Sequence, residues 1–585
     1  MPSLPDSIAD TALARLFAGD RPSPDVSWFS VPGGRHLYEA GSQADELYFL
    51  RAGRLGVIRQ EEGQEPVFLG VIKPGEPVGE MGVLAGGAHH ATVVALRDSE
   101  VLALPRRAFF AAIESDPTVM LELARLMIAR TRTNSGHTAA SEPSVFGLIG
   151  VSHGTQVREL AERLADCIAA QGYVAAVMGS EAANAPTEWF SNVEAEHDFV
   201  LYAAECEDED WRQLVSRQVD RLFLIGRGDA SPPEHIGVLE TEPLLRQRLV
   251  DLVLIQPERA ARPKGAEAWL DAVPASRLFH VRDFNEGDRH RLARSITGQA
   301  VGLVLSGGGA RAYAHIGAAR ALHAAGIPID FVGGASMGAI IAAGLAMGWG
   351  DAELDRRIRL AFVDSSPVDD IAFPLIAMTR GEKVHRRLNE HFGKVEIADL
   401  WLPFFCVSSN LTSGAYHLHR RGRLSRALRA SLSLPGVLPP VIEGGDVLVD
   451  GAVMKNFPAD IMRAFHQGPI VGIDVTRGRS INAEDVKSES IWRWMFAGGW
   501  RKGPPIVALL MRSATVSSGR DLAASREATD VLVTPKLEKI DIRNWSAYEP
   551  AVDAGERAMN EALEKLDQPL SEMRRRPSLA ERKVA

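Results

Sequence analysis

The chain has 585 residues, 46% hydrophobic and 24% charged, an ordinary balance for globular protein and enough length for about four packed domains. A formal net charge of −10 argues against a nucleic-acid binder, and three widely spaced cysteines, Cys167, Cys206 and Cys406, argue against a disulfide framework or a zinc site. The opening Met1-Pro2-Ser3-Leu4-Pro5-Asp6 has neither a basic region nor an apolar core, so no secretory signal is expected and a reducing, cytoplasmic setting is.

From about residue 26 to 112, short apolar runs alternate with turns, among them Leu47-Tyr48-Phe49-Leu50, Leu55-Gly56-Val57-Ile58 and Val101-Leu102-Ala103-Leu104. Strands at this spacing predict a small all-β roll, followed by helical segments to about Arg132. The region resembles a cyclic-nucleotide-binding domain, with Val78-Gly79-Glu80-Met81-Gly82 matching the start of the phosphate cassette. That resemblance implies Gly79 and Glu80 as nucleotide contacts, the glutamate taking the ribose hydroxyl. Where the cassette places an arginine on the cyclic phosphate, this chain has His89, followed by His90. Losing a charged hydrogen bond costs about 1.5–3 kcal/mol, and histidine restores the charge only when protonated. Nucleotide binding therefore stays open beside a structural or docking role.

Thr133 to Pro143 is small and polar, a linker pattern. Beyond it, Val145-Phe146-Gly147-Leu148-Ile149-Gly150-Val151, a helix from about Gln156 to Gly172, Tyr173 to Val177, Phe199 to Ala203 and Leu222 to Gly226 alternate strand with helix. The first turn, Ser152-His153-Gly154-Thr155, lacks the lysine of a P-loop, so the reading is a degenerate Rossmann-like scaffold without bound nucleotide.

Val301 to Leu305 has a buried-strand pattern and runs into Ser306-Gly307-Gly308-Gly309-Ala310-Arg311, which opens a helix over Ala312 to Ala325. Such a turn presents several backbone N–H groups to one spot, suited to a phosphate or an oxyanion. No Lys-Ser/Thr ending follows, and the run lies about one βα unit before a second motif, Gly334-Ala335-Ser336-Met337-Gly338. An oxyanion hole from Gly307, Gly308 and Gly309 is the better reading, with Arg311 steadying the loop or meeting an anionic head group. The second motif sits between a strand and the small-residue helix that starts at Met337. A nucleophile elbow needs glycine two positions either side of its serine, and Gly334 and Gly338 supply this around Ser336. Phe331 to Gly350 holds no charge over twenty residues, a length that can span a bilayer. Its six glycines and its strand-like start point instead to elbow and helix.

Asp450 follows the short strand Val447-Leu448-Val449 and precedes Gly451, which permits close backbone approach. A serine hydroxyl needs a base, usually histidine. The only histidine after Asp450 is His466, inside the helical segment Ala459 to His466, while His315 and His323 lie on the helix after the glycine run. A dyad of Ser336 and Asp450, with the carboxylate as direct base, fits best; a triad through His466 is the rival.

Together these residues resemble the patatin-like phospholipases and, within them, bacterial relatives of neuropathy target esterase. The likeness extends to Val332 to Gly338, Asp399-Leu400-Trp401-Leu402-Pro403, Ser431-Leu432-Ser433-Leu434-Pro435-Gly436 and Asp450 to Pro458 in family order, and upstream to Phe199-Val200-Leu201-Tyr202 with Trp211, Gln218 and Asp220. It implies a serine esterase with Ser336 and Asp450 as dyad, acting on phospholipids or lysophospholipids without cofactor or metal. One departure is Ala312, where the family's glycine run ends in Arg-Gly.

Ile491 to Lys502 mixes aromatic with basic residues, a composition suited to a bilayer interface, a lid or a subunit contact. Peripheral contact with the inner face of the membrane follows from the first of these. The tail from Gln568, with Arg574-Arg575-Arg576, reads as disordered. The expected division is a cyclic-nucleotide-binding-like domain over 1–135, a degenerate Rossmann-like α/β domain over 136–297 and an α/β patatin-like hydrolase domain over 298–480. A helical extension over 481–567 and the tail 568–585 complete it. The alternative function is a cyclic-nucleotide sensor or membrane-associated adaptor with a silent hydrolase domain.

Overall fold

The computed structural model describes residues 25–59, 67–134, 144–237, 249–283, 285–364, 370, 376–476, 519–538 and 540–584. The aromatic-basic stretch 491–502 lies outside them. The chain divides into two compact units. One comprises the described residues up to Gly226, Pro232–Val253 and those from Pro577 on; the other comprises Arg227–Ser231 and Leu254–Arg576.

In the first unit, β1 (Ser27–Val31), β2 (His36–Tyr38), β3 (Glu46–Arg59), β4 (Val67–Ile72), β5 (Pro77–Val78) and β6 (Thr92–Pro105) form an antiparallel roll ordered β1-β6-β3-β4, with β2 on β6 and β5 on β3. The two fourteen-residue strands pair along their length, with register shifts between Leu50 and Leu55. Gly53 sits there at φ 95°, and a Cβ on it would lie 2.4 Å from Ser99 Oγ, so the bulge that bends the long strands needs glycine.

The same unit holds β7 (Val145–Gly150), β8 (Ala175–Met178), β9 (Phe199–Ala204) and β10 (Arg221–Arg227), parallel and ordered β8-β9-β7-β10. The side chains of β7, β9 and β10 are almost wholly buried, the mark of a parallel sheet covered on both faces. At the first turn Glu205 accepts from the backbone N–H groups of Val157 (3.1 Å) and Arg158 (2.9 Å), so a carboxylate already occupies the helix start where a P-loop would hold phosphate. Roll and α/β layer are joined by buried ion pairs, Arg54 with Asp220 at 2.6 Å and Arg97 with Glu194 at 2.6 Å.

After β11 (Leu249–Gln256) and β12 (Arg277–Arg282), the second unit is built on an eight-stranded sheet. Its strands are β13 (Gly302–Leu305), β14 (Phe331–Ala335), β15 (Phe404–Asn410), β16 (Ala415–His419), β17 (Val441–Glu443), β18 (Asp446–Asp450), β19 (Ile470–Ile473) and β20 (Val531–Val533), ordered β17-β18-β15-β14-β13-β19-β20 with β16 on β15. The central strands β15, β14, β13, β19 and β20 run parallel, and β18 runs antiparallel to β15. The charge-free stretch from Phe331 is thus a strand, the elbow and the helix Met337–Ala346, and among the described residues no helix is long and apolar enough to cross a membrane.

Two sequence expectations change. The region expected as a helical extension after residue 480 supplies the edge strand β20 and the helix Tyr548–Glu564. That helix crosses Ala314–Ala324 so closely that a Cβ on Gly317 would stand 1.9 Å from Val552 O and one on Gly555 1.8 Å from Ala314 O. Residues 568–584, expected to be disordered, form a 3₁₀ turn at Leu570–Glu572 and a helix at Leu579–Val584. Leu570 is buried in the core, and Arg574 donates to Asp530 at 2.7 Å, so this basic residue finds a carboxylate.

Candidate active site

Ser336 follows the last residue of β14 and caps the helix Met337–Ala346 at φ 51°, ψ −130°. A non-glycine residue held at positive φ stores strain that its surroundings must impose. They do so tightly: a Cβ on Gly334 would meet Leu305 O at 2.7 Å, and one on Gly338 would meet Leu305 O and Ser306 O at 2.5 Å. The Ser336 N–H donates to Ser431 Oγ (2.8 Å), whose hydroxyl donates to Val407 O (2.7 Å). Ser431 ends the helix Leu424–Ser431 and belongs to the site's scaffold. Nothing local marks it as such, because its partner is 95 residues away.

The Ser336 hydroxyl donates to Asp450 Oδ2 at 2.7 Å. Asp450 ends β18; its Oδ1 accepts from Ala452 N (2.8 Å), its N–H donates to Ser433 O (2.9 Å), and its carbonyl accepts from Ser409 Oγ (2.9 Å). Next to it, a Cβ on Gly451 would lie 2.5 Å from Val407 O, so this glycine is required for close approach. Burial pushes the Asp450 carboxyl up to about 6, a rise that the Ala452 N–H and the Ser336 hydroxyl only partly oppose. At neutral pH it is a carboxylate of raised basicity touching the hydroxyl.

The glycine run lies beside the elbow, a Cβ on Gly307 standing 3.0 Å from Ser336 Cβ. The Gly307 N–H, expected to face an oxyanion, instead donates to Asn456 O at 3.2 Å. Gly308 packs where a Cβ would meet Val475 Cγ2 at 2.5 Å, and Gly309 takes φ 55° with Ile542 O 2.2 Å from its missing Cβ. Ala310 N donates to Ile542 O (2.9 Å) and the buried Arg311 donates through Nε to Ile540 O (2.7 Å). The Arg311 Nε contact ties the glycine run to the segment just before the helix Tyr548–Glu564. Met337, which the sequence reading did not single out, is the first residue of the elbow helix.

Among the described residues no histidine is hydrogen-bonded to this pair. His315 is fully buried with Nε2 on Ser306 O (2.8 Å), and burial holds it down at about 4. His323 pairs with Asp351 on the surface. His466 packs at a tilt against Phe331, ring centroids 4.6 Å apart, at the first residue of β14, whereas Ser336 follows the last. Five residues of strand separate the two positions by about 16 Å. His466→Ala is therefore expected to keep its ester turnover while losing about 2–3 kcal/mol of stability through the cavity it leaves, which parallel rate and denaturation measurements check.

The roll brings Gly79, Glu80 and His89 together. Gly79 has φ 87°, Glu80 is buried at the start of the helix Glu80–Ala85, and a Cβ on Gly79 would lie 3.3 Å from His89 Cε1. His89 is itself buried, stacked on Tyr38 with centroids 3.6 Å apart. Burial, with His90 adding to it, lowers its pKa, so it carries no charge at neutral pH. Among the described residues no cluster of His, Cys, Asp and Glu could hold a metal ion.

Residues 303–463 match the patatin-like phospholipase family, 28–116 the cyclic nucleotide-binding domain and 147–299 the Neuropathy Target Esterase family P-loop like domain. An uncharacterized NTE family protein of Mycobacterium tuberculosis is 31% identical over 556 residues, 91% of this chain and 91% of its own. Human patatin-like phospholipase domain-containing protein 6 is 28% identical over 95% of this chain and 46% of its own, and a lysophospholipase of Aspergillus fumigatus 26% identical over 92% and 42%.

Proposed function

The chain belongs to the neuropathy target esterase family and is a lipid-hydrolysing esterase of the patatin-like phospholipase type, and from that premise we propose that Ser336 and Asp450 are its catalytic dyad, acting on lysophospholipid or phospholipid acyl esters. The observation that carries the proposal is the 2.7 Å hydrogen bond from the Ser336 hydroxyl to a buried carboxylate. Asp450 takes the hydroxyl proton as Oγ attacks the acyl carbonyl carbon. The tetrahedral intermediate is held by N–H groups of Gly308, Gly309 and Met337 and by the positive end of the helix Met337–Ala346. Collapse breaks the bond to the glycerol oxygen, which leaves with the proton from Asp450. Water then gives a proton to Asp450 and attacks the acyl-serine, and the fatty acid departs with Oγ reprotonated.

Burial of Asp450 serves this chemistry, because a base of pKa about 6 is stronger than an ordinary carboxylate and still ionised at pH 7. The expected kcat/KM for a p-nitrophenyl ester rises through one ionisation near 6 and then stays level. A profile governed instead by a group near 7, as a histidine base would give, contradicts the dyad.

For the roll we propose a structural role. An uncharged His89 stacked on Tyr38 offers no cation to a cyclic phosphate, and the buried Arg54–Asp220 and Arg97–Glu194 pairs tie the roll to the α/β layer of its own unit. We assign the hydrolase domain to residues 298–480 together with the described segment from 519 to 567.

A further inference from the structure

Away from the dyad, a cavity of about 290 Å³ opens within the second unit. Leu278 of β12, with Ile397, Leu400 and Phe404 from the 3₁₀ turn Ile397–Asp399 to the start of β15, gives it an apolar wall. That wall includes Leu400-Trp401-Leu402-Pro403, a run prominent in the sequence that the dyad does not use. Phe404 is the first residue of β15 and pairs with Val332, whereas Ser408, four residues on, pairs with Asp450. About 13 Å of strand therefore separates the cavity from the level of the carboxylate.

Three guanidinium groups complete the lining, and no Asp or Glu is among the lining residues. Arg421 is matched by Glu267, at 2.8 Å, and by Asp271. Exposed Arg420 donates to Ser276 O and stands 4.8 Å over the Phe465 ring, and buried Arg277 lies 5.2 Å over the Phe279 ring. Such contacts hold two planar cations at the cavity without putting a carboxylate inside it. His280 adds no charge. Its Nε2 donates to Ala398 O at 2.7 Å and its Nδ1 accepts from Gln256 Nε2 at 3.1 Å, the pattern of a neutral ring.

An apolar wall with guanidinium groups beside it suits one alkyl chain ending in an anion, and the guanidinium fork matches a carboxylate. A methylene is close in size to a water, whose share of liquid volume is about 30 Å³, so the space holds a chain of roughly ten carbons. We infer that this cavity binds a medium-chain fatty carboxylate, the chain against Leu278, Leu400 and Phe404 and the head on Arg277 and Arg420, at a site separate from Ser336. The inference does not use the esterase reading of Ser336 and is tested apart from it.

The test titrates decanoate and decan-1-ol by calorimetry into the full chain, into Ala275→Trp, which fills the cavity from its own lining, and into Arg420→Gln, an exposed change that removes one cation. Melting temperature and p-nitrophenyl butyrate turnover are measured on each protein. Wild type is expected to bind decanoate, and both variants to bind it at least tenfold more weakly, the usual worth of a charged hydrogen bond in the arginine case. Butyrate turnover stays at the wild-type level, because neither residue belongs to the dyad or its scaffold. Decan-1-ol, with the same chain and no charge, binds at least tenfold more weakly than decanoate. No binding of decanoate by wild type overturns the inference. So does equal affinity in wild type and Arg420→Gln, which places the anion elsewhere, and so does decan-1-ol binding as tightly as decanoate. If Ala275→Trp melts well below wild type, Arg420→Gln and the alcohol decide.

Discussion

Asp450→Asn is expected to lower kcat by about 10²–10⁴-fold, the range for losing a positioned base, and to make the protein more stable at neutral pH. The two effects share one cause. The carboxyl has an ordinary pKa of 3.8 and rises to about 6 in the buried site, so the folded protein disfavours its charge. At low pH both folded and unfolded chains hold the proton and the group costs nothing. As pH rises from about 4 to about 6 the unfolded chain ionises first, and native stability falls by about 3 kcal/mol, the worth of some two pKa units at 1.36 kcal/mol each. Asparagine is nearly the same shape, keeps an acceptor for Ala452 N and never ionises. Its melting temperature at pH 7.5 is therefore expected to exceed the wild type's, with the gap closing toward pH 4. Activity and stability moving in opposite directions is what a strained catalytic site produces. An inactive variant that melts well below wild type would instead make Asp450 a structural residue.

The second large effect lies far from the motifs. Gly555→Val is expected to cost about 3 kcal/mol or more, and the denaturation midpoint to fall accordingly, because the new side chain meets the Ala314 backbone at 1.8 Å, where no rotamer can give way. The helix Tyr548–Glu564 must then back away from Ala314–Ala324. Just before that helix, Ile540 and Ile542 offer the carbonyls that hold Arg311 and Ala310 at the glycine run. Ester turnover should therefore fall together with stability, although Gly555 touches no reacting atom. An unchanged midpoint would contradict the helix crossing.

These two cases mark where the sequence was legible. The elbow could be read because its constraint is local: a serine at positive φ demands glycines at fixed offsets, and Gly334 and Gly338 stand there. Asp450 was legible from its short strand and following glycine, and the absence of a well-placed histidine directed attention to it. The roll and the parallel sheets followed from strand spacing and continuous apolar runs. What could not be read depends on partners distant in sequence. Arg311 meets Ile540 across 229 residues, and Ser336 meets Ser431 across 95. β20 is only three residues long, and a helix that packs through two glycines advertises no function. The commitment of Gly307 N–H to Asn456 was equally hidden, since a glycine run does not say which of its donors the fold has already used.

The most direct test of the account is fatty-acid release from lysophosphatidylcholine by wild type and by Ser336→Ala, with the melting temperature of both measured alongside. Release by wild type and background release by a variant that melts like it is the predicted result. Release by Ser336→Ala at the wild-type rate, or none by either protein, would contradict it.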